Sequence, residues 1–194
     1  EKEHLQWQKT IQFLNKKVNF TAPDSTLIIK NPGTTAQVKF IRAIYPGARF
    51  IFLHRNPYDV FYSNIKLWKR LLDNLALQVI SDEDIKENIL YIYRKMHLNY
   101  LEDKKAIPAG HLVEIPYQEL SSAPKECLSS IFRELGLPNF ERKLPHFEKY
   151  LNQISHTESH YDYQSEDLTR INRDWKFMFE NFNYSVRQTA VKNA

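Results

Sequence analysis

The chain has 194 residues, of which 42% are hydrophobic and 26% charged, with a formal net charge of +4. That is enough for one globular domain with a real core. A single cysteine, Cys127, excludes an internal disulfide framework and a Cys-rich zinc site, and leans toward a reducing compartment. The sequence has no apolar run long enough to span a membrane and no signal peptide. The positive charge suits an anionic partner, but Lys and Arg are interleaved with Asp and Glu, and no nucleic-acid reader motif stands out. The expectation is a segment that binds neither nucleic acid nor membrane, in a cytoplasmic protein.

The opening EKEHLQWQKTIQFLNKK reads as the middle of a helix, which predicts that this is not the natural N-terminus. Three apolar runs then read as buried strands: Leu27-Ile28-Ile29, Arg49 to Leu53, and His111 to Ile115. Between the first two, a helix is predicted from about Thr35 to Tyr45, stopped by Pro46-Gly47. A second helix follows Pro57, with Phe61, Ile65, Trp68 and Leu72 on one stripe. A third runs from Asp82 to about Lys105, with Ile85, Ile89, Ile92, Met96 and Tyr100 at helical spacing. After the third strand, Pro124 to Leu135 reads as a helix closed by Gly136. Pro145 to Leu151 and Ser165 to Phe182 read as the last helices. Strands separated by helices imply βαβ units, a mostly parallel sheet, and a ligand site at the strand carboxyl ends. Lys30, Arg55 and Tyr117 fall there.

The stretch FIFLHRNPYDVFYSN carries the sharpest signal. A strand ends in His54-Arg55, Asn56 is a good N-cap, Pro57 suits the first helical position, and Asp59 suits the first turn. Free N–H groups at such an end receive anions, and Arg55 adds a planar fork matched to phosphate oxygens. Ser63 lies two turns past the cap on the same side, its side chain leaning back toward that end. The plain alternative is an Arg55 paired with Asp59 and an exposed Ser63. One unit earlier, LIIKNPGTTAQVKF repeats the logic: a strand ending at Lys30, a turn, and Thr34-Thr35 opening a helix. It lacks the spacing of a Walker A loop.

These elements resemble the sulfotransferases that use 3′-phosphoadenosine-5′-phosphosulfate (PAPS). In that family a strand ending in Arg, a short turn and a helix carrying Ser bind the cofactor's 3′-phosphate, which implies that role for Arg55 and Ser63. LIIKNPGTTAQVKFIRAIYPGARF resembles the branch reading L-K-(S/N)-P-x-(H/N)-T-A-R-I, with Lys30, Asn31, Pro32, Thr35 and Ala36 matching. Thr34 departs from its His or Asn and Gln37 from its Arg, which leaves the catalytic base unassigned. HLVEIPYQELSSAPKECLSSIFRELGLP is similar to the strand–Tyr–Glu–Asp–Leu element. Tyr117 matches the tyrosine on the adenine side, and Glu119 replaces the Asp. The tail YDYQSEDLTRINRDWKFMFENFNYS looks like the end of the same branch, with Asn183 where a Gly often precedes the final Tyr184.

The resemblance covers roughly 26 to 184 and implies one sulfotransferase domain over 1–194. The implied fold is a P-loop-like three-layer α/β sandwich with a mostly parallel central sheet, here incomplete at its N-terminus. The phosphosulfate loop, P-(R/K)-S-G-T-T-like, is absent from the sequence, so the chain is expected to be a piece of a larger enzyme and inactive alone.

The implied reaction transfers a sulfuryl group from PAPS in line to a hydroxyl or amine of a small-molecule, carbohydrate or protein acceptor, without a metal. PAP (3′-phosphoadenosine-5′-phosphate) is the product. Lys30 would stabilise the sulfuryl oxygens or leaving group. Candidate bases are His54 and the cluster His156, Glu158 and His160. Alternation along the strand turns His54 away from the face of Arg55 and argues against it. The aromatic face Tyr91, Tyr93 and Tyr100 could line an acceptor cleft, although such stripes are more often core, as are Trp175, Phe177 and Phe179. Two other readings share the phosphate logic. A nucleoside-phosphate kinase would need a Walker A loop and Mg²⁺-binding carboxylates that the sequence does not display. A non-catalytic module binding an adenosine phosphate would need Arg55, Ser63 and Tyr117 but not Lys30.

Overall fold

Two strands, β1 (Phe50–His54) and β2 (Leu112–Pro116), lie parallel, in register from Phe50 opposite Leu112 to His54 opposite Pro116. This computed structural model describes residues 2–23, 25–153 and 160–188. Parallel strands need a long crossover. Here the helices α3 (Pro57–Leu75) and α4 (Asp82–Asp103) supply it, α4 returning to β2 through a 3₁₀ turn at Lys104–Ala106. Before β1 come α1 (Lys2–Asn19), a 3₁₀ segment at Pro32–Gln37 and α2 (Val38–Ile44). After β2 come α5 (Tyr117–Ser122), α6 (Pro124–Glu134), α7 (Phe140–Leu151), α8 (Ser165–Asp174) and α9 (Lys176–Phe182).

Helices pack against both faces of this small sheet, although Ile51 and Leu53 of β1 stay exposed on one of them. Val113 and Ile115 pack beneath Cys127, Ile131 and Leu135 of the α6 region. On the other face Phe52 stacks on Tyr100 of α4, with ring centroids 4.0 Å apart, and meets Phe182 at 5.5 Å. The largest cluster binds α3, α4, α8 and α9 together. At its centre Trp175 is fully buried, stacks on Tyr93 at 3.9 Å and donates its indole N–H to the Leu90 carbonyl at 3.1 Å.

Four expectations are corrected. Leu27-Ile28-Ile29 is not a buried strand: the residues are extended but 38%, 83% and 55% exposed. An apolar triplet becomes a strand only when a neighbouring edge takes its hydrogen bonds, and the described sheet contains β1 and β2 only. The helix expected from Thr35 is split, because the Asn31 side chain accepts from the Gly33 N–H at 2.9 Å and starts a tight 3₁₀ turn first. The helix expected from Pro145 starts at Phe140 and carries Pro145 inside it, losing one ladder bond. The last helix breaks at Trp175, whose backbone (φ −115°) leaves the helical region between α8 and α9. Asn183 has φ +55°, the left-handed conformation that glycine adopts most easily, which accounts for the Gly expected before Tyr184.

His97, on α4, is 8% exposed, stacks on Tyr93 at 3.8 Å, and its Nδ1 bonds the Tyr93 carbonyl at 2.8 Å. Burial, partly offset by that bond, lowers its pKa from 6.5 to about 4. The folded state therefore refuses a proton that the unfolded chain accepts. Stability from this group is complete above about pH 6.5 and is lost as pH falls toward 4, by about 3 kcal/mol in all. Urea midpoints at pH 7 and pH 4.5 should show that loss, and His97→Gln should flatten the slope between them. An unchanged slope would assign the acid sensitivity to other groups.

Candidate functional site

The register that pairs His54 with Pro116 puts the next two residues, Arg55 and Tyr117, side by side where both strands run out. The Arg55 guanidinium carbon lies 5.1 Å from the centre of the Tyr117 ring, within cation–π range. Each residue also stands at a helix start: Arg55 just before α3, Tyr117 as the first residue of α5. The α3 end is built as expected. Asn56 Oδ1 accepts from the Tyr58 N–H at 3.0 Å, and Pro57 occupies the first turn. Pro57 has no N–H and Val60 donates to the Asn56 carbonyl at 3.1 Å, so this 19-residue helix offers an anion the Asp59 N–H and the positive end of its dipole.

The plain alternative also has a footing, since Arg55 Nε lies 3.7 Å from Asp59 Oδ2. That contact is long, and the Arg55 side chain is 32% exposed, so the fork keeps its terminal N–H groups for a ligand. Ser63 is half-buried rather than exposed and makes no hydrogen bond among the described residues. Its place one turn beyond Asp59 puts it on the helix side that carries the ion pair.

The C-terminal segment lies across this end of α3. Tyr163 Oη donates to Asp59 Oδ1 at 2.6 Å. Tyr62 Oη donates to Asp167 Oδ2 at 3.0 Å and accepts from the Gln164 N–H at 2.7 Å. Tyr58 Oη donates to Asn172 and accepts from the Arg187 N–H at 2.9 Å. Asp167, 1% exposed, is paired with Lys86 at 2.7 Å. Burial first, then the bond to Asp59, push the Tyr163 phenol up to about 12, so it stays a donor at neutral pH. Reading the sequence by local pattern missed Tyr163. It lies 104 residues from Asp59, and no spacing rule connects them.

Lys30 is not brought into this cluster. It is exposed on the extended segment and has no ion pair or hydrogen bond among the described residues. Nearby, Thr34 donates back to the Asn31 carbonyl at 2.6 Å. His54 points to the opposite sheet face, as strand alternation requires. It is 7% exposed, with its Nδ1 2.7 Å from Tyr184 Oη. Burial is the main cause of its lowered pKa. Its burial on the face opposite Arg55 argues against His54 as the base. His160 is exposed, whereas His156 and Glu158 lie outside the described residues.

Tyr93 and Tyr100 belong to the core, Tyr100 donating to Glu114 Oε1 at 2.7 Å, and only Tyr91 faces outward. An apolar cleft of about 180 Å³ opens further out between α3 and α4, lined by Trp68, Leu72, Ile80, Ile85, Asn88, Ile89 and Ile92. Among the described residues no group of three or more His, Cys, Asp or Glu could hold a metal ion, and no helix is long and apolar enough to cross a membrane.

Parallel strands that each run straight into a helix, joined by a helical crossover, define an α/β domain with a small parallel sheet. The Sulfotransferase family model matches residues 1–142, and the chain belongs to that family. It is 25% identical over 179 residues to the omega-hydroxy-beta-dihydromenaquinone-9 sulfotransferase Stf3 of Mycobacterium bovis, and equally to that of Mycobacterium tuberculosis. Each alignment covers 92% of this chain and 46% of the relative, so the chain spans about half the length of the curated relatives it matches. Two solved structures share the fold. The crystal structure of sulfotransferase STF9 from Mycobacterium avium superposes with a TM-score of 0.70 at 15% identity, over 81% of this chain and 42% of that one. The sulfotransferase domain from the curacin biosynthetic pathway superposes with a TM-score of 0.59 at 17% identity, over 91% and 69%.

Proposed function

We propose that this chain carries the nucleotide-binding part of a PAPS-dependent sulfotransferase acting on a hydroxyl or amine acceptor. The observation that carries the reading is the Arg55 guanidinium over Tyr117 at the capped start of α3. The donor set suits the cofactor. The terminal N–H groups of Arg55, the Asp59 N–H in the first turn and the Ser63 hydroxyl match a 3′-phosphate, and the Tyr117 ring offers the adenine an aromatic face. Family membership favours this over a nucleoside-phosphate kinase. The buried thiol of Cys127 suits a reducing, cytoplasmic setting.

Bound PAPS would supply the activated sulfuryl group and leave as PAP. Arg55 and Ser63 would hold the 3′-phosphate, which fixes the nucleotide's position before transfer. Tyr117 would orient the base. Lys30 would meet charge developing on the sulfuryl oxygens or leaving group, a role for which an uncommitted ammonium is suited. An alcohol as acceptor agrees with the omega-hydroxy substrate named for the mycobacterial relatives.

Calorimetric titration of the chain with PAP beside AMP tests the reading, and tighter binding of PAP is the expected result. Equal binding of both would leave the 3′-phosphate unread and favour a generic nucleotide site. Lys30→Ala should leave PAP affinity within about twofold where Lys30 acts on the transferred sulfuryl oxygens, which PAP lacks, rather than on the 5′-phosphate leaving group, which PAP keeps. A large loss would make Lys30 a nucleotide ligand instead.

A further inference from the structure

We infer that Tyr163 is a positioning residue for Arg55, acting through Asp59; this rests on the 3′-phosphate reading above. Asp59 occupies the first turn of α3, on the same helix side as Ser63. A carboxylate free to turn there would face an incoming phosphate and repel it. Instead its two oxygens have separate tasks. Oδ1 accepts from the Tyr163 hydroxyl at 2.6 Å, and Oδ2 faces Arg55 Nε at 3.7 Å. The first contact fixes the carboxylate rotamer, and the second then biases the guanidinium. With Nε turned to Asp59, the two terminal nitrogens are left to grip two oxygens of one phosphate.

The Tyr163 ring is itself held. Its centre lies 5.7 Å from that of Tyr58 and 5.5 Å from that of Tyr62, and the Arg187 guanidinium carbon sits 4.6 Å over it. Tyr163, two residues before α8, thus sets the aim of a side chain at the end of β1. Arginine is long and rich in rotamers, so one partner that restrains it raises affinity by removing wrong poses rather than by adding a contact.

Tyr163→Phe keeps the ring and removes only the hydroxyl. Titrated with PAP, this variant should bind about threefold more weakly than the unmodified chain, the size of effect that a partly exposed ion pair 3.7 Å long can transmit. Its AMP affinity should stay within about twofold. In an Arg55→Ala background, Tyr163→Phe should have no further effect on PAP binding, because the side chain it positions is gone. A Tyr163→Phe variant that binds PAP as well as the unmodified chain overturns the inference and leaves the 3′-phosphate reading standing. Equal loss of PAP and AMP affinity, or an undiminished effect in the Arg55→Ala background, also overturns it, since Tyr163 would then be merely structural. An unmodified chain without preference for PAP overturns the 3′-phosphate reading and this inference together.

Discussion

Replacing Arg55 by alanine is expected to weaken PAP binding by about two orders of magnitude, or ~3 kcal/mol, the upper range for a charge-assisted bidentate contact. AMP has no 3′-phosphate, so its affinity should change little, and the ratio of the two affinities is the quantity to measure. Because the lost term is electrostatic, the penalty should shrink as salt is raised. The fold should not suffer. Arg55 is one-third exposed and its pair with Asp59 is 3.7 Å long, so thermal stability should move by no more than ~0.5 kcal/mol. A variant that keeps the preference for PAP would move the 3′-phosphate away from α3 altogether.

Trp175→Ala should have the largest effect on stability. The side chain is fully buried between Tyr93, 3.9 Å away, and Phe61, 5.8 Å away, where α8 gives way to α9. Truncation leaves a cavity and strips the Leu90 carbonyl of its indole donor. Large-to-small changes of this kind cost about 3–5 kcal/mol, a large part of the ~5–15 kcal/mol that holds a domain folded. Urea denaturation would show a lower midpoint with an unchanged slope. Trp68→Ala is the internal control: Trp68 is 40% exposed at the rim of the apolar cleft and should cost less than about 1 kcal/mol. If the two variants cost the same, the core does not centre on Trp175.

The sequence alone determined whatever depends on near neighbours. The Asn56–Pro57 start of α3 was legible because a cap and a first-turn proline act within a few residues. Gly136, with φ +59°, closed α6 for the same kind of local reason. Strand alternation was enough to turn His54 away from Arg55. The family resemblance likewise rested on short stretches such as FIFLHRNPYDVFYSN. Local pattern misjudged Leu27-Ile28-Ile29, because apolar composition creates the demand for a sheet edge without supplying one. Only the tertiary structure decided that β1 and β2 pair in the register that lays Arg55 over Tyr117. It alone brought Tyr163 onto Asp59 across 104 residues of chain, and Tyr184 onto His54 across 130. The physical reason is range: capping and periodicity are settled within one or two turns, whereas these contacts form only after the hydrophobic packing of α3, α4, α8 and α9 has met the entropy of closing such long loops.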